Sequence, residues 1–90
     1  MGKNIVTIKG SKILIVDDKA ENLELLTSIL EAEEFEIAFA TNGEEAIKIA
    51  TLFQPHLILL DVMMPGIDGF ETCRRLKSLP ALSDISVIFV

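Results

Sequence analysis

The stretch HLILLDVMMPGIDG, residues 56–69, decides the fold. Its first part, His56–Leu60, is a short, continuous apolar run bounded by turn formers. That is the pattern of a strand buried on both faces. Asp61 closes the run. A carboxylate at the last position of a buried strand leaves the hydrophobic layer and reaches the rim of the sheet, where a ligand can meet it. Beyond the Pro65-Gly66 turn, Asp68 and Glu71 have the spacing of a capping pair that opens a helix through Ser78. Pro80 closes that segment.

Working back toward the start, Ile13–Val16 is a second apolar run, and it ends in Asp17 and Asp18. Between the two runs, Ala20–Glu33 has helical periodicity. Leu23, Leu26 and Leu30 make one apolar face, Leu25 and Ile29 broaden it, and Asp18 stands where an N-cap would. Glu36–Ala40 is a short strand. Asn42 opens a second helix, with Glu45 as its reciprocal cap and Ala46, Ile49, Ala50 and Phe53 as its buried stripe. Pro55 ends it. Ile85–Val90 is a last apolar run, expected as a fourth buried strand. The opening Asn4–Lys9 alternates weakly and fits either a short strand or a tail.

Strand and helix thus alternate three times before a final strand. This is an α/β pattern that predicts a doubly wound parallel sheet with helices on both faces and right-handed crossovers. In open sheets of this kind, ligands bind beyond the carboxyl ends of the strands. Asp17, Asp18 and Asp61 all fall there. If the two acid-ended strands are parallel neighbours, three carboxylates converge on one edge.

Composition narrows the function. Ninety residues, half of them hydrophobic, make one small domain with one core rather than a disordered chain. A net charge of −6 argues against direct binding to a nucleic-acid backbone. Cys73 is the single cysteine and forms no internal disulfide, so it is expected as a packing residue in a reducing, cytoplasmic setting. No apolar run approaches the ~20 residues of a membrane span, and the start lacks a signal-peptide apolar region.

Clustered carboxylates repel one another, the more so beside a low-dielectric sheet, and a cation compensates. Oxygen-only ligands favour a hard ion. Mg²⁺ takes one or two carboxylates and keeps several waters. One carboxylate then remains free, and Asp61 is the natural one. No His, Cys or Ser partner for nucleophilic catalysis lies at that edge. His56 is at the far end of its strand, and zinc lacks ligands. A carboxylate can itself attack phosphorus and become an acyl phosphate. Taken singly, Asp17-Asp18 and Asp61 each fit a solvated turn or cap. Their occurrence at matching strand ends is what points to a site. A Mg²⁺-dependent phosphohydrolase with Asp61 as nucleophile would need a second acid two residues on, where Met63 stands.

The segments KILIVDD (12–18) and LILLDVMMPGIDGFE (57–71), with the spacing between them, resemble the receiver domain of two-component response regulators. The resemblance runs from Lys12 to Val90. It implies a flavodoxin-like (CheY-like) fold and a phosphorelay role. Asp61 would be the phosphoacceptor and, with the acidic pair Asp17 and Asp18, a ligand of Mg²⁺. Met63 would lend a backbone carbonyl to the metal, and Pro65 and Gly69 would shape the loop. The phosphoryl donor would be a histidine kinase or a phosphotransfer protein, and the domain promotes its own phosphorylation without being a turnover enzyme. MMPGIDGFETCRRLK is also similar to receivers attached to cyclic-nucleotide-synthesising outputs and to hybrid kinases.

Receivers run to about five strands and five helices in the flavodoxin-like order. This pattern reaches the fourth strand, so the expectation is an incomplete receiver at 12–90 behind an N-terminal extension at 1–11. The family's switch Ser or Thr and its phosphoryl-pairing Lys would lie past Val90, so phosphotransfer is expected to be impaired. A fourth-strand edge of Ile85, Val87, Ile88, Phe89 and Val90 is expected to drive self-association. The alternative is a self-associating assembly module or engineered fragment whose acidic site is idle.

Overall fold

The structure, a computed structural model, describes residues 10–90; the Asn4–Lys9 strand-or-tail lies outside the described residues. Lys12–Val16 forms strand β1, Glu36–Ala40 β2, Leu57–Leu60 β3 and Ser86–Phe89 β4. Helices α1, α2 and α3 span Ala20–Glu31, Gly43–Phe53 and Gly69–Lys77, and a 3₁₀ turn covers Pro80–Leu82.

All strand pairs are parallel, in the order β2-β1-β3-β4. The two acid-ended strands are therefore the central pair, in a register that sets Val16 opposite Leu60. From β1 the chain moves to β2 on one side and then returns past β1 to β3 on the other. This reversal puts a topological switch point at the carboxyl ends of β1 and β3. The reversal also explains the layers. With right-handed crossovers, helices reached by moving in opposite directions pack on opposite faces.

On one face, Leu14, Val16, Ile58 and Leu60 meet Ala46 and Ala50 of α2 and Leu76 of α3. Cys73 packs against this core as a half-buried residue, as expected of it. On the other face, Ile13, Ile15 and Leu57 meet Leu23 of α1, flanked by Leu26 and Leu30. Each fully buried Leu or Ile contributes about 1.5–3 kcal/mol of hydrophobic stabilisation before chain entropy is set against it.

Several local expectations are corrected. Leu25 and Ile29 are 61% and 55% exposed, so the apolar face of α1 is narrower than the periodicity implied. α1 is capped at Lys19 without a side-chain bond, not by Asp18. Asn42 does cap α2 through Glu45 N at 2.8 Å, but the Glu45 carboxylate reaches back to Thr41 N at 2.7 Å instead of to Asn42. Asp68 caps α3 through Glu71 N, yet the Glu71 side chain turns to Arg74 and Arg75. α2 ends at Gln54 in the left-handed region, because Pro55 disfavours the right-handed helical conformation at the residue before it. β4 is not a buried strand. Ile88, Phe89 and Val90 are exposed, whereas Ile85 is buried and Val87 packs on the larger core. The expected row of exposed apolar residues is therefore shorter, because period-2 alternation turns Val87 inward.

Candidate functional site

The carboxyl ends of β1 and β3 are stitched to their neighbours by the backbone. Asp17 N donates to Ala40 O at 3.1 Å, and Asp61 N donates to Val16 O at 2.9 Å. Parallel pairing in this register carries Asp17 and Asp61 off adjacent strands side by side. Asp18 follows on the same rim. Carboxylate oxygens of the three aspartates lie within 4.8 Å of one another.

Their environments differ. Asp17 is 4% exposed, Asp61 is half-buried and Asp18 is exposed. A buried carboxylate needs donors, and Asp17 has one for each oxygen. Lys19 N donates to Oδ1 at 2.9 Å and Asn22 Nδ2 donates to Oδ2 at 3.0 Å. Asp61 accepts from Met63 N through Oδ1 at 3.2 Å, a local side-chain-to-backbone turn, and among the described residues no hydrogen bond is made to Oδ2. Asp18 Oδ1 has the Lys19 ammonium at 3.4 Å. That hydrogen bond and the charge of Asp18 raise the Lys19 pKa above its ordinary value, with smaller contributions from Asp61 and Asp17. Among the described residues, Lys19 thus sets a cation beside the three-carboxylate rim.

The loop after Asp61 is held by close backbone approach. Pro65 and Gly66 form the turn, and Gly66 takes φ +79°, a conformation that glycine adopts without steric cost. Gly69 opens α3 with its N–H on Val62 O at 2.8 Å. A β-carbon there would lie 2.8 Å from Val62 Cα and closer still to the Asp61 carbonyl oxygen. Gly69 is therefore a spacing requirement of the Asp61 backbone. Gly43 plays the same part between α2 and α3, facing Thr72 and Ile67.

Of the residues picked from sequence, Asp17, Asp18 and Asp61 come together, and Gly69 abuts the Asp61 backbone. Pro65 lies in the loop, and Met63 offers its N–H to Asp61 with its side chain exposed to solvent. His56 is at the opposite end of the sheet, where its Nδ1 accepts from Lys12 N at 2.8 Å. Sequence reading missed Asn22, Lys19, Gly43 and Thr72. Asn22 carried a faint signal, as a poor helix former inside an otherwise helix-favouring segment.

The pattern of the response regulator receiver domain matches residues 13–90. The chain belongs to the receiver domain family of response regulators. It is 45% identical over 81 residues to the response regulator PleD of Caulobacter vibrioides, covering 90% of this chain and 18% of that protein. It is 48% identical over 71 residues to the transcriptional regulatory protein ResD of Bacillus subtilis, covering 79% of this chain and 30% of that one. This receiver therefore spans less than a third of the length of either relative. Among solved structures it is similar to the signal receiver domain of a signal transduction histidine kinase from Syntrophus aciditrophicus. That match has a TM-score of 0.85 and 41% identity, covering 90% of this chain and 61% of that one. The N-terminal domain of a response regulator receiver protein from Methanoculleus marisnigri gives 0.84 and 37%, covering 87% and 63%. As a receiver, the chain is a phosphorelay signalling domain with a flavodoxin-like fold, and its acidic cluster fits the phosphoacceptor site of that family. No helix among the described residues is long and apolar enough to cross a membrane.

Proposed function

We propose that Asp61 of this receiver accepts a phosphoryl group from the phosphohistidine of a histidine kinase or phosphotransfer protein, with Mg²⁺ held beside it. The observation that carries this is the convergence of the Asp17, Asp18 and Asp61 oxygens within 4.8 Å at the switch point of the sheet. The donor set is all oxygen, which fits Mg²⁺ and not zinc. Asp17, Asp18 and Asp61 would hold the ion, with the Met63 backbone carbonyl as a further ligand. Bound there, it would neutralise the carboxylates and the phosphoryl oxygens.

The remaining work falls to the chain. Met63 N fixes the Asp61 carboxylate through Oδ1 and leaves Oδ2 to attack. The new O–P bond forms as the P–N bond of the phosphohistidine breaks, and the imidazole leaves. Gly69 lets the start of α3 lie against the Asp61 backbone, and Pro65 would shape the loop between them. The reaction is a transfer onto the protein itself and not enzymatic turnover. Residues 12–90 would carry it, with 1–11 as an extension. The lone Cys73 suits a reducing cytoplasm.

The chain has no Trp or Tyr, so the test is by amide NMR. Mg²⁺ with beryllofluoride, an acyl-phosphate mimic, should shift the amides of Asp61 and Met63. The shift should vanish in Asp61→Ala. A wild-type chain that is folded and indifferent to the mimic would refute the assignment.

A second reading has its own support. Ile88 and Val90 are 51% and 55% exposed on the edge strand β4 and its end. We infer that this 90-residue polypeptide pairs with a second copy along β4. Its mass by light scattering should rise with concentration, and a strictly monomeric species would remove this reading.

A further inference from the structure

We infer that Asn22 is a positioning residue of the acidic site: its side-chain amide holds Asp17 in the orientation that Mg²⁺ requires. The inference rests on the proposed metal role of Asp17, Asp18 and Asp61. Asp17 is the most buried of the three, at 4% exposure. Its oxygens are held by different kinds of donor, Oδ1 by the Lys19 backbone and Oδ2 by Asn22 Nδ2 at 3.0 Å. The backbone donor comes from the chain path itself. The Asn22 amide is the side-chain donor that mutation can remove.

Asn22 reaches Asp17 because of where α1 begins. Lys19 is the N-cap, so Asn22 is the third residue of the helix, one turn in and facing the strand end it has just left. An ionised carboxylate has about four acceptor sites. Donors among the described residues use two, one on each oxygen, which leaves acceptor capacity for an ion. Mg²⁺ demands near-octahedral geometry, and a carboxylate already fixed loses little freedom on binding it. The neutrality of the amide matters too. A Lys or Arg at 22 would also hold Asp17 but would set a second positive charge beside Lys19, against an incoming cation.

Partners of metal ligands typically change metal affinity by about 10–100-fold when removed. The test is calorimetric titration with Mg²⁺ alone of wild type, Asn22→Leu, Asn22→Ala and Asn22→Gln, each also melted without metal. Removing the amide with Leu or Ala should weaken Mg²⁺ binding about tenfold or more, at the lower end of that range. Asn22→Gln, which keeps the donor, should recover much of the loss. A helix-packing role would move the melting temperature and leave affinity alone. Unchanged affinity in either folded Leu or Ala variant overturns the inference and leaves the metal site standing. So does a loss that Gln does not relieve at all. A wild-type chain that binds no Mg²⁺ overturns both.

Discussion

The two ends of the central strands, β1 and β3, follow opposite electrostatic rules. At their amino ends the polar groups satisfy one another. Lys12 N donates to His56 Nδ1 and His56 N donates to Lys12 O, both at 2.8 Å, while the Lys12 ammonium reaches Phe53 O at 3.2 Å and lies over the Phe53 ring. At their carboxyl ends, three carboxylates crowd together with the Lys19 ammonium beside them. One end is closed by the chain's own donors and acceptors. The other keeps an excess of like charge, which costs energy until a cation arrives. The same two strands and the same register produce both. What differs is that one rim pairs its polar groups with one another and the other gathers three carboxylates.

The strongest way to break this contrast is at the open end. Chelating divalent metal, or making Asp61→Ala, should reduce phosphoryl acceptance from a phosphorylated histidine kinase to background, read by radiolabel on the chain. His56→Ala should leave acceptance near wild type. If His56→Ala also abolished transfer, the two ends would not be functionally separate.

A smaller effect lies in the backbone beneath Asp61. Gly69→Ala must move the start of α3 off the Asp61 carbonyl. Overpacking of this kind costs about 1–3 kcal/mol, so the denaturant midpoint should fall by that equivalent. An unchanged midpoint would mean that the loop yields freely and that Gly69 does not define the site.

At the closed end, His56→Ala removes one hydrogen bond to Lys12 N. The expected loss is about 0.5–1.5 kcal/mol, with Mg²⁺ affinity unaltered. A fall in metal affinity would show that the two ends communicate through β1 and β3.

The smallest effect expected lies in the first turn of α3. The Glu71 carboxyl is held down to about 2, first by its hydrogen bond to Arg74 and then by that to Arg75. Arg74 is raised in turn by Glu71. Because the folded pKa lies below the ordinary 4.5, this contribution is fully present above that value and is lost as pH falls through about 2. The cluster is exposed, so added salt should move the Glu71 titration back up toward the ordinary value. Carboxyl chemical shifts followed against pH at two salt concentrations would measure this. A salt-independent midpoint would contradict the reading of Glu71 as a solvated ion cluster.

The legible features were those written in consecutive residues. The runs ending in Asp17 and Asp61, the caps at Asn42 and Asp68, and the stop at Pro55 all depend on neighbours a few positions away. Leu25 and Ile29 misled because periodicity marks a helical face without saying how much sheet lies under it. Glu45 and Glu71 misled because capping spacing brings a carboxylate near the helix start, while competing donors at Thr41, Arg74 and Arg75 decide where it settles. Asn22 escaped notice because its partner is a buried carboxylate on the preceding strand end, outside any local helix rule.

The chain's sequence by itself determined the alternation of strand and helix and the carboxylates at two strand ends. These follow from hydrophobic runs and turn chemistry, which act over a few residues. Only the tertiary structure decided that β1 and β3 are neighbours and that β4 lies half exposed at an edge. Those outcomes depend on which distant surfaces bury one another. Pairings across dozens of residues are chosen by packing, and no single stretch of sequence contains both partners.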